Sequence, residues 1–146
     1  MAVGVRKGAR KPDLGSVDAL KRALLEAQAI AYSKEGWSGV YAAKLVERLG
    51  LTQALAAKTV LETRPGGAAF NLAEGRAELA LTIAAEIVPV AGAELAGPLP
   101  GEAALWVEFA AGVAPHADAA AVRSLVESIQ SPAGAAALRA AGMEPA

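Results

Sequence analysis

The chain has 146 residues, 54% of them hydrophobic and 20% charged, with 14 basic against 15 acidic side chains. A formal charge of −1 argues against a general nucleic-acid or membrane-surface binder, which carries a basic excess. There is no cysteine and only one histidine, His116. A disulfide framework, a thiolate zinc site and a cysteine nucleophile are thereby excluded, and a His-rich metal site is not expected. The chain contains 38 alanines and six aromatic residues, so side chains are thin and helices are expected to pack closely. No window holds about 18 uninterrupted apolar residues, and the longest candidate, 79–93, is broken by Glu86 and Pro89. The N-terminus lacks the charged, apolar and small-residue order of a signal peptide.

The first run, Ala2 to Val5, reads as a strand. Arg6, Lys7, Arg10 and Lys11 follow, either as an acidic-partner contact or as a solvated loop. Ser16 caps a helix whose Val17, Leu20 and Leu24 share one face. Residues 29–32 read as a buried strand, and Ser33 to Gly39 as a turn-rich loop. A second helix is expected over 39–49, ended by Gly50, and Thr52 is expected to cap a short third one. Strands over 59–61 and 78–83 flank a helix that Gly66-Gly67 opens and Gly75 stops. Strands alternating with helices predict crossover units and a mostly parallel sheet, hence an α/β fold. Residues 94–97 and 105–113 read as two further strands. Two helices close the chain. The first aligns Val122, Leu125, Val126 and Ile129, and the second starts with Ser131 as cap and Pro132 at its first position.

The most informative segment for chemistry is Ser33 to Gly39, which follows a strand and opens a helix. Free N–H groups at such a turn, beside Ser33 and Ser38, favour an anion. The alternative is an ordinary cap supplied by Ser38. Gly66-Gly67 lacks both dinucleotide and P-loop spacing and reads equally as a tight turn. Thr82 and Ile83, at the end of a strand, line the same side; Trp37 either walls a ligand or covers the core. No catalytic residue and no metal ligand set is found. Ser33 and Ser38 have no nearby histidine, and His116 reads as an exposed loop residue. Glu86 and Glu108 sit in apolar sequence, where a raised pKa or a plain capping role are both open.

Taken in order, several segments resemble the molybdate-type substrate-binding proteins of bacterial ABC transporters, of the type 2 periplasmic binding protein fold. They are Val5-Arg6-Lys7-Gly8-Ala9, Ile30-Ala31-Tyr32-Ser33, Ser38-Gly39-Val40-Tyr41, Gly75-Arg76-Ala77-Glu78-Leu79-Ala80, Glu86-Ile87-Val88-Pro89-Val90, Gly97-Pro98-Leu99-Pro100, Ser131-Pro132-Ala133 and Gly142-Met143-Glu144-Pro145. The resemblance implies one complete βαβ lobe over 1–107 and, over 108–146, a C-terminal helical remnant of the other lobe, whose N-terminal part is missing. It implies ligand contacts from Trp37, Ser38, Gly39 and Ile83, with Ser33 and Thr82 beside them. Ile83 stands where the molybdate binders carry a tyrosine, so one side-chain donor is lost.

The implied function is capture of a small oxyanion, molybdate-like, or another small anionic solute for an ABC-type importer, without a cofactor. The implied partners are the transporter's membrane subunits and a second copy packed on the C-terminal helices, with neither nucleic acid nor membrane insertion. The implied location is periplasmic or extracellular, with a cytoplasmic one left open by the missing signal peptide. Two alternatives accompany this reading. One is the effector-sensing domain of a transcriptional regulator; the other is a dimeric interaction module that has lost its ligand.

Overall fold

The computed structural model describes residues 1–64 and 66–145. The chain divides into two compact units, Met1–Trp106 and Val107–Ala146. The first unit contains all five strands: β1 (Ala2–Arg6), β2 (Ile30–Ser33), β3 (Thr59–Glu62), β4 (Leu79–Thr82) and β5 (Ala93–Pro98). Its helices are α1 (Val17–Glu26), α2 (Gly36–Arg48), α3 (Thr52–Ala56), α4 (Ala68–Ala73) and α5 (Ala84–Ile87), with a 3-10 turn at Gly101–Ala103.

The strands form one sheet in the order β3-β2-β4-β1-β5. β2 runs parallel to both β3 and β4, whereas β1 is antiparallel to both β4 and β5. The expected mostly parallel sheet is therefore a mixed one. Alternation of strands and helices fixes the crossover units but not the direction of β1, which enters the sheet between β4 and β5. Residues expected to form a strand over 105–113 are irregular and mostly exposed. A strand needs a neighbour to receive its N–H and C=O groups, and none pairs with this segment among the described residues.

Period-two alternation gives the sheet a thick face and a thin one. Val3, Val5, Ile30, Leu79 and Leu81 point to one side, where they pack with Leu20, Leu24, Leu45 and Leu55 of α1, α2 and α3. Ala31 and Ala80 point to the other side, with Ala68 and Leu72 of α4, and Ala2 joins Ala69 and Ile87. The high alanine content thus has a location: it lets α4 and α5 lie close on the sheet. Gly4 shares that face, and a Cβ there would come within 3.0 Å of Leu72 Cδ1 and 3.2 Å of Ile87 Cδ1.

Helix ends follow local chemistry where a side chain supplies the cap. Ser16 accepts from the Ala19 N–H at 3.1 Å to start α1. Thr52, expected as a cap, is instead the first residue of α3, whose N-cap position is Leu51. Gly75 ends α4 with φ +71°, in the left-handed region.

The second unit consists of α6 (Ala119–Gln130), capped by Asp118, and α7 (Pro132–Ala140), capped by Ser131 through the Gly134 N–H at 3.1 Å. Gly134 lets the two helices meet tightly, since a Cβ there would lie 2.3 Å from the Ser128 and Ile129 carbonyl oxygens. No described residue of this unit is buried, and Leu125, Val126 and Ile129 form an exposed apolar stripe.

The thin face predicts a specific weakness. Gly4→Val should lower stability by about 1–3 kcal/mol through overpacking against Leu72 and Ile87. Thermal melting followed by circular dichroism measures this, and an unchanged midpoint would contradict the close-packed thin face.

Candidate functional site

β2, β3, β4 and β5 end on one edge of the sheet, and β1 begins there. Ser33 pairs with Glu62 across β2 and β3. Thr82 sits at the matching offset on β4, where Ile30 pairs with Leu79 and Ala31 with Ala80. The edge is thus a row of Glu62, Ser33 and Thr82, followed by the starts of α2, α4 and α5.

α2 begins at Gly36, three residues earlier than expected, so Trp37 and Ser38 lie in its first turn and not in a loop. Gly36 has φ +79°, which lets the chain swing from β2 into the helix. Gly39 is in the helix for a different reason. A Cβ on it would sit 2.0 Å from the Ser33 carbonyl oxygen and 2.7 Å from its carbonyl carbon. Two glycines in a short span suggested a loop, but only Gly36 turns the chain; Gly39 allows close approach.

Ser38 is not the cap. The N-cap position is Glu35, which makes no capping side-chain hydrogen bond. The first N–H groups of α2 therefore point to the edge without a side-chain acceptor, and the helix dipole favours an anion there. Trp37 is 53% exposed and stacks on Tyr41, ring centroids 6.2 Å apart and 12° from parallel. It does not cover the core. Tyr41 in turn donates to the Ala103 carbonyl at 3.0 Å. Ser33, expected in the loop, is the buried last residue of β2.

On the other side of Ser33, Thr82 is fully buried and its hydroxyl donates to the Glu86 carboxylate. Ile83 does not end the strand; it is the N-cap residue of α5. Glu86 lies near the β3–α4 turn, since a Cβ on Gly66 would be 3.8 Å from its Oε1. It is therefore not isolated among apolar residues. Glu108 lies in the irregular segment and is exposed, as is His116. Of the sequence candidates, the structure brings Ser33, Trp37, Ser38, Gly39, Thr82 and Ile83 to one edge. Among the described residues no cluster of three His, Asp or Glu side chains could hold a metal ion.

Sequence reasoning missed the anchor of this edge, Glu62. Its carboxylate accepts from the Thr63 and Arg64 N–H groups, each at 2.9 Å, from Arg64 Nη2 at 2.6 Å and from Asn71 Nδ2 at 3.2 Å. The Arg64 guanidinium and backbone N–H, with Asn71, outweigh burial and hold its pKa down at about 2, from an ordinary value of 4.5. The Glu62 carbonyl also accepts from the Lys34 N–H at 2.8 Å, which ties the start of the α2 turn to β3. Gly67 is needed beside it, for a Cβ there would lie 2.5 Å from Glu62 Cγ. The Gly66-Gly67 pair thus reads as a tight turn packed on Glu62. The signal for the network, an acidic residue followed by Arg64 and Asn71, has no periodic signature.

Glu62 binds its proton less readily in the fold than in the unfolded chain. Its stabilisation is therefore complete above about 4.5 and is lost as pH falls toward about 2. Denaturant titrations of the wild type and Glu62→Gln should show the wild type more stable at pH 6, with the gap closing between pH 4.5 and 2. A gap that stays constant over that range would contradict the pairing.

The family profile described as bacterial extracellular solute-binding protein matches residues 1–144. An aconitate isomerase from Pseudomonas sp is 32% identical over 150 residues, covering 99% of this chain and 55% of that protein. The chain spans about half the length of this curated relative.

Proposed function

The chain belongs to the bacterial extracellular solute-binding proteins, and we propose that its first unit is a lobe that offers the start of α2 to a small anionic solute. The uncapped first turn of α2, seated by Gly39 on the Ser33 carbonyl, carries this reading. The donors are the backbone N–H groups of Trp37 and Ser38 and the Ser38 hydroxyl. Ser33 shapes the turn, Ile83 stands on the facing side, and Thr82 lies buried behind it with its hydroxyl on Glu86. The solute is a small oxyanion, molybdate-like, or another small anion, captured without a cofactor for an ABC-type importer outside the cytoplasm. A desolvated anion needs a nearly full set of donors, and one edge supplies only part of it. Affinity of this chain alone is therefore modest.

The capture reading involves no chemical step. The second reading is an isomerase, favoured by the relative that carries the name aconitate isomerase. The two share a site for an anion and differ in turnover.

Calorimetric titration with molybdate, sulfate, phosphate and aconitate tests both. We expect saturable binding of at least one anion and no change of aconitate. Ser38→Ala, which removes one donor to a charged ligand, should weaken binding by about tenfold or more. Conversion of aconitate by the chain would favour the isomerase, and absence of binding to all four anions would contradict the proposal.

A further inference from the structure

The end of the sheet opposite the Ser33 and Thr82 edge carries a separate concavity. It is a cleft of about 720 Å³ between the β1–α1 loop and α1, within the span of small-molecule sites, roughly 300–1,000 Å³. Its bottom is apolar: Val5 and Leu79, paired across β1 and β4, with Ala19, Ala23 and Ala27 along α1. Its rim carries Arg6, Lys7, Arg10 and Lys11 from the strand end and the loop, and Arg22 from α1. In the sequence the first four are only a charged run; the fold brings Arg22 to them from a separate element. Three carboxylates share the rim, and two of them are turned onto backbone. Asp13 accepts from the Gly15 N–H and Glu78 from the Gln28 N–H, each at 2.8 Å. Lys11 is paired with Glu94 at 2.7 Å. Arg6, Lys7, Arg10 and Arg22 are exposed and make no ion pair among the described residues.

The loop that carries these cations is held in place. The Lys7 N–H donates to the Gly92 carbonyl at 2.8 Å, and the Ala9 N–H to the Arg6 carbonyl at 2.9 Å. Gly8, with φ +79°, makes the turn, and its N–H reaches the Glu94 carboxylate that also holds Lys11. We propose that this cleft binds a small polyvalent oxyanion of the phosphate class, a diphosphate or its esters, through Arg6, Lys7, Arg10 and Arg22. A guanidinium presents paired N–H donors that match two phosphate oxygens at once. An exposed ion pair strengthens binding by no more than about fivefold. A single carboxylate therefore stays weakly bound here, whereas an anion of three or more charges engages several cations together. The apolar bottom of the cleft concentrates the field of the rim on the ligand. A concavity of this volume fits such an anion better than a docked protein face, which needs about 800 Å² on each partner. The proposal does not rest on the α2 reading, whose donors lie at the other end of the sheet.

Calorimetric titration of the full chain at pH 7 and low ionic strength, with inorganic pyrophosphate and inorganic phosphate, tests this. Pyrophosphate should bind one to one and about tenfold or more tightly than phosphate. The double variant Arg10→Gln/Arg22→Gln should weaken pyrophosphate by about tenfold or more. A second double variant, Arg123→Gln/Arg139→Gln, removes the same charge from α6 and α7 and should stay within about twofold of the wild type. All four arginines are exposed, so neither variant disturbs a core. Four results would each overturn the proposal: no binding of pyrophosphate, binding no tighter than that of phosphate, an affinity unchanged in the Arg10 and Arg22 variant, or an equal loss in the Arg123 and Arg139 variant. Each of them leaves the α2 reading standing.

Discussion

Gly39 lies on the Ser33 carbonyl so closely that a Cβ would come within 2.0 Å of the oxygen. This contact seats the first turn of α2 on the end of β2. A larger residue would push the helix off the strand and move Trp37 and Ser38 with it. The contact needs a fixed strand end beneath it, and Glu62 supplies that from the neighbouring strand. Its carbonyl receives the Lys34 N–H, and its carboxylate gathers Arg64, Asn71 and two backbone N–H groups. The buried charge is thus satisfied locally, as an interior carboxylate requires. In the proposed function, the donors offered to a ligand are the N–H groups that this arrangement leaves over.

The same economy of side-chain volume governs the rest of the first unit. Alanine and glycine on one face of the sheet bring α4 and α5 close, while leucine, isoleucine and valine on the other face bury the bulk of the core. Close approach of α5 then places Glu86 within reach of Thr82 at the strand end. A composition rich in alanine is therefore not only a helix-forming bias. It sets the layer spacing, and the spacing decides which polar groups meet at the edge.

Much of this was legible in the sequence. Ser16 and Ser131-Pro132 marked helix starts correctly, because a side-chain cap is a local signal. The strand and helix order through β4 followed from periodicity. Three features did not follow. Gly36 and Gly39 look alike in sequence, yet one serves a left-handed φ and the other a close contact, and only the fold separates those roles. The antiparallel placement of β1 depends on partners at positions 79–82 and 93–98, which no local pattern encodes. The 105–113 segment carries strand-like residues without a strand to pair with among the described residues. The candidate site divides in the same way. The residues of the β2–α2 turn were readable from their glycines and hydroxyls. The Glu62 network joins residues 62, 64 and 71 with no repeat. Thr82 and Glu86 stand four apart, but Thr82 ends β4 and α5 is only one turn long, so no helical periodicity runs across them.

The central claim is that an anion meets the backbone of the α2 first turn. Amide chemical shifts during titration with a small carboxylate test it most directly. The account predicts concerted, saturable shifts of the Trp37, Ser38 and Gly39 amides, with the 6–11 segment unmoved. Shifts confined to the basic residues Arg6, Lys7, Arg10 and Lys11, with the α2 amides silent, would contradict it.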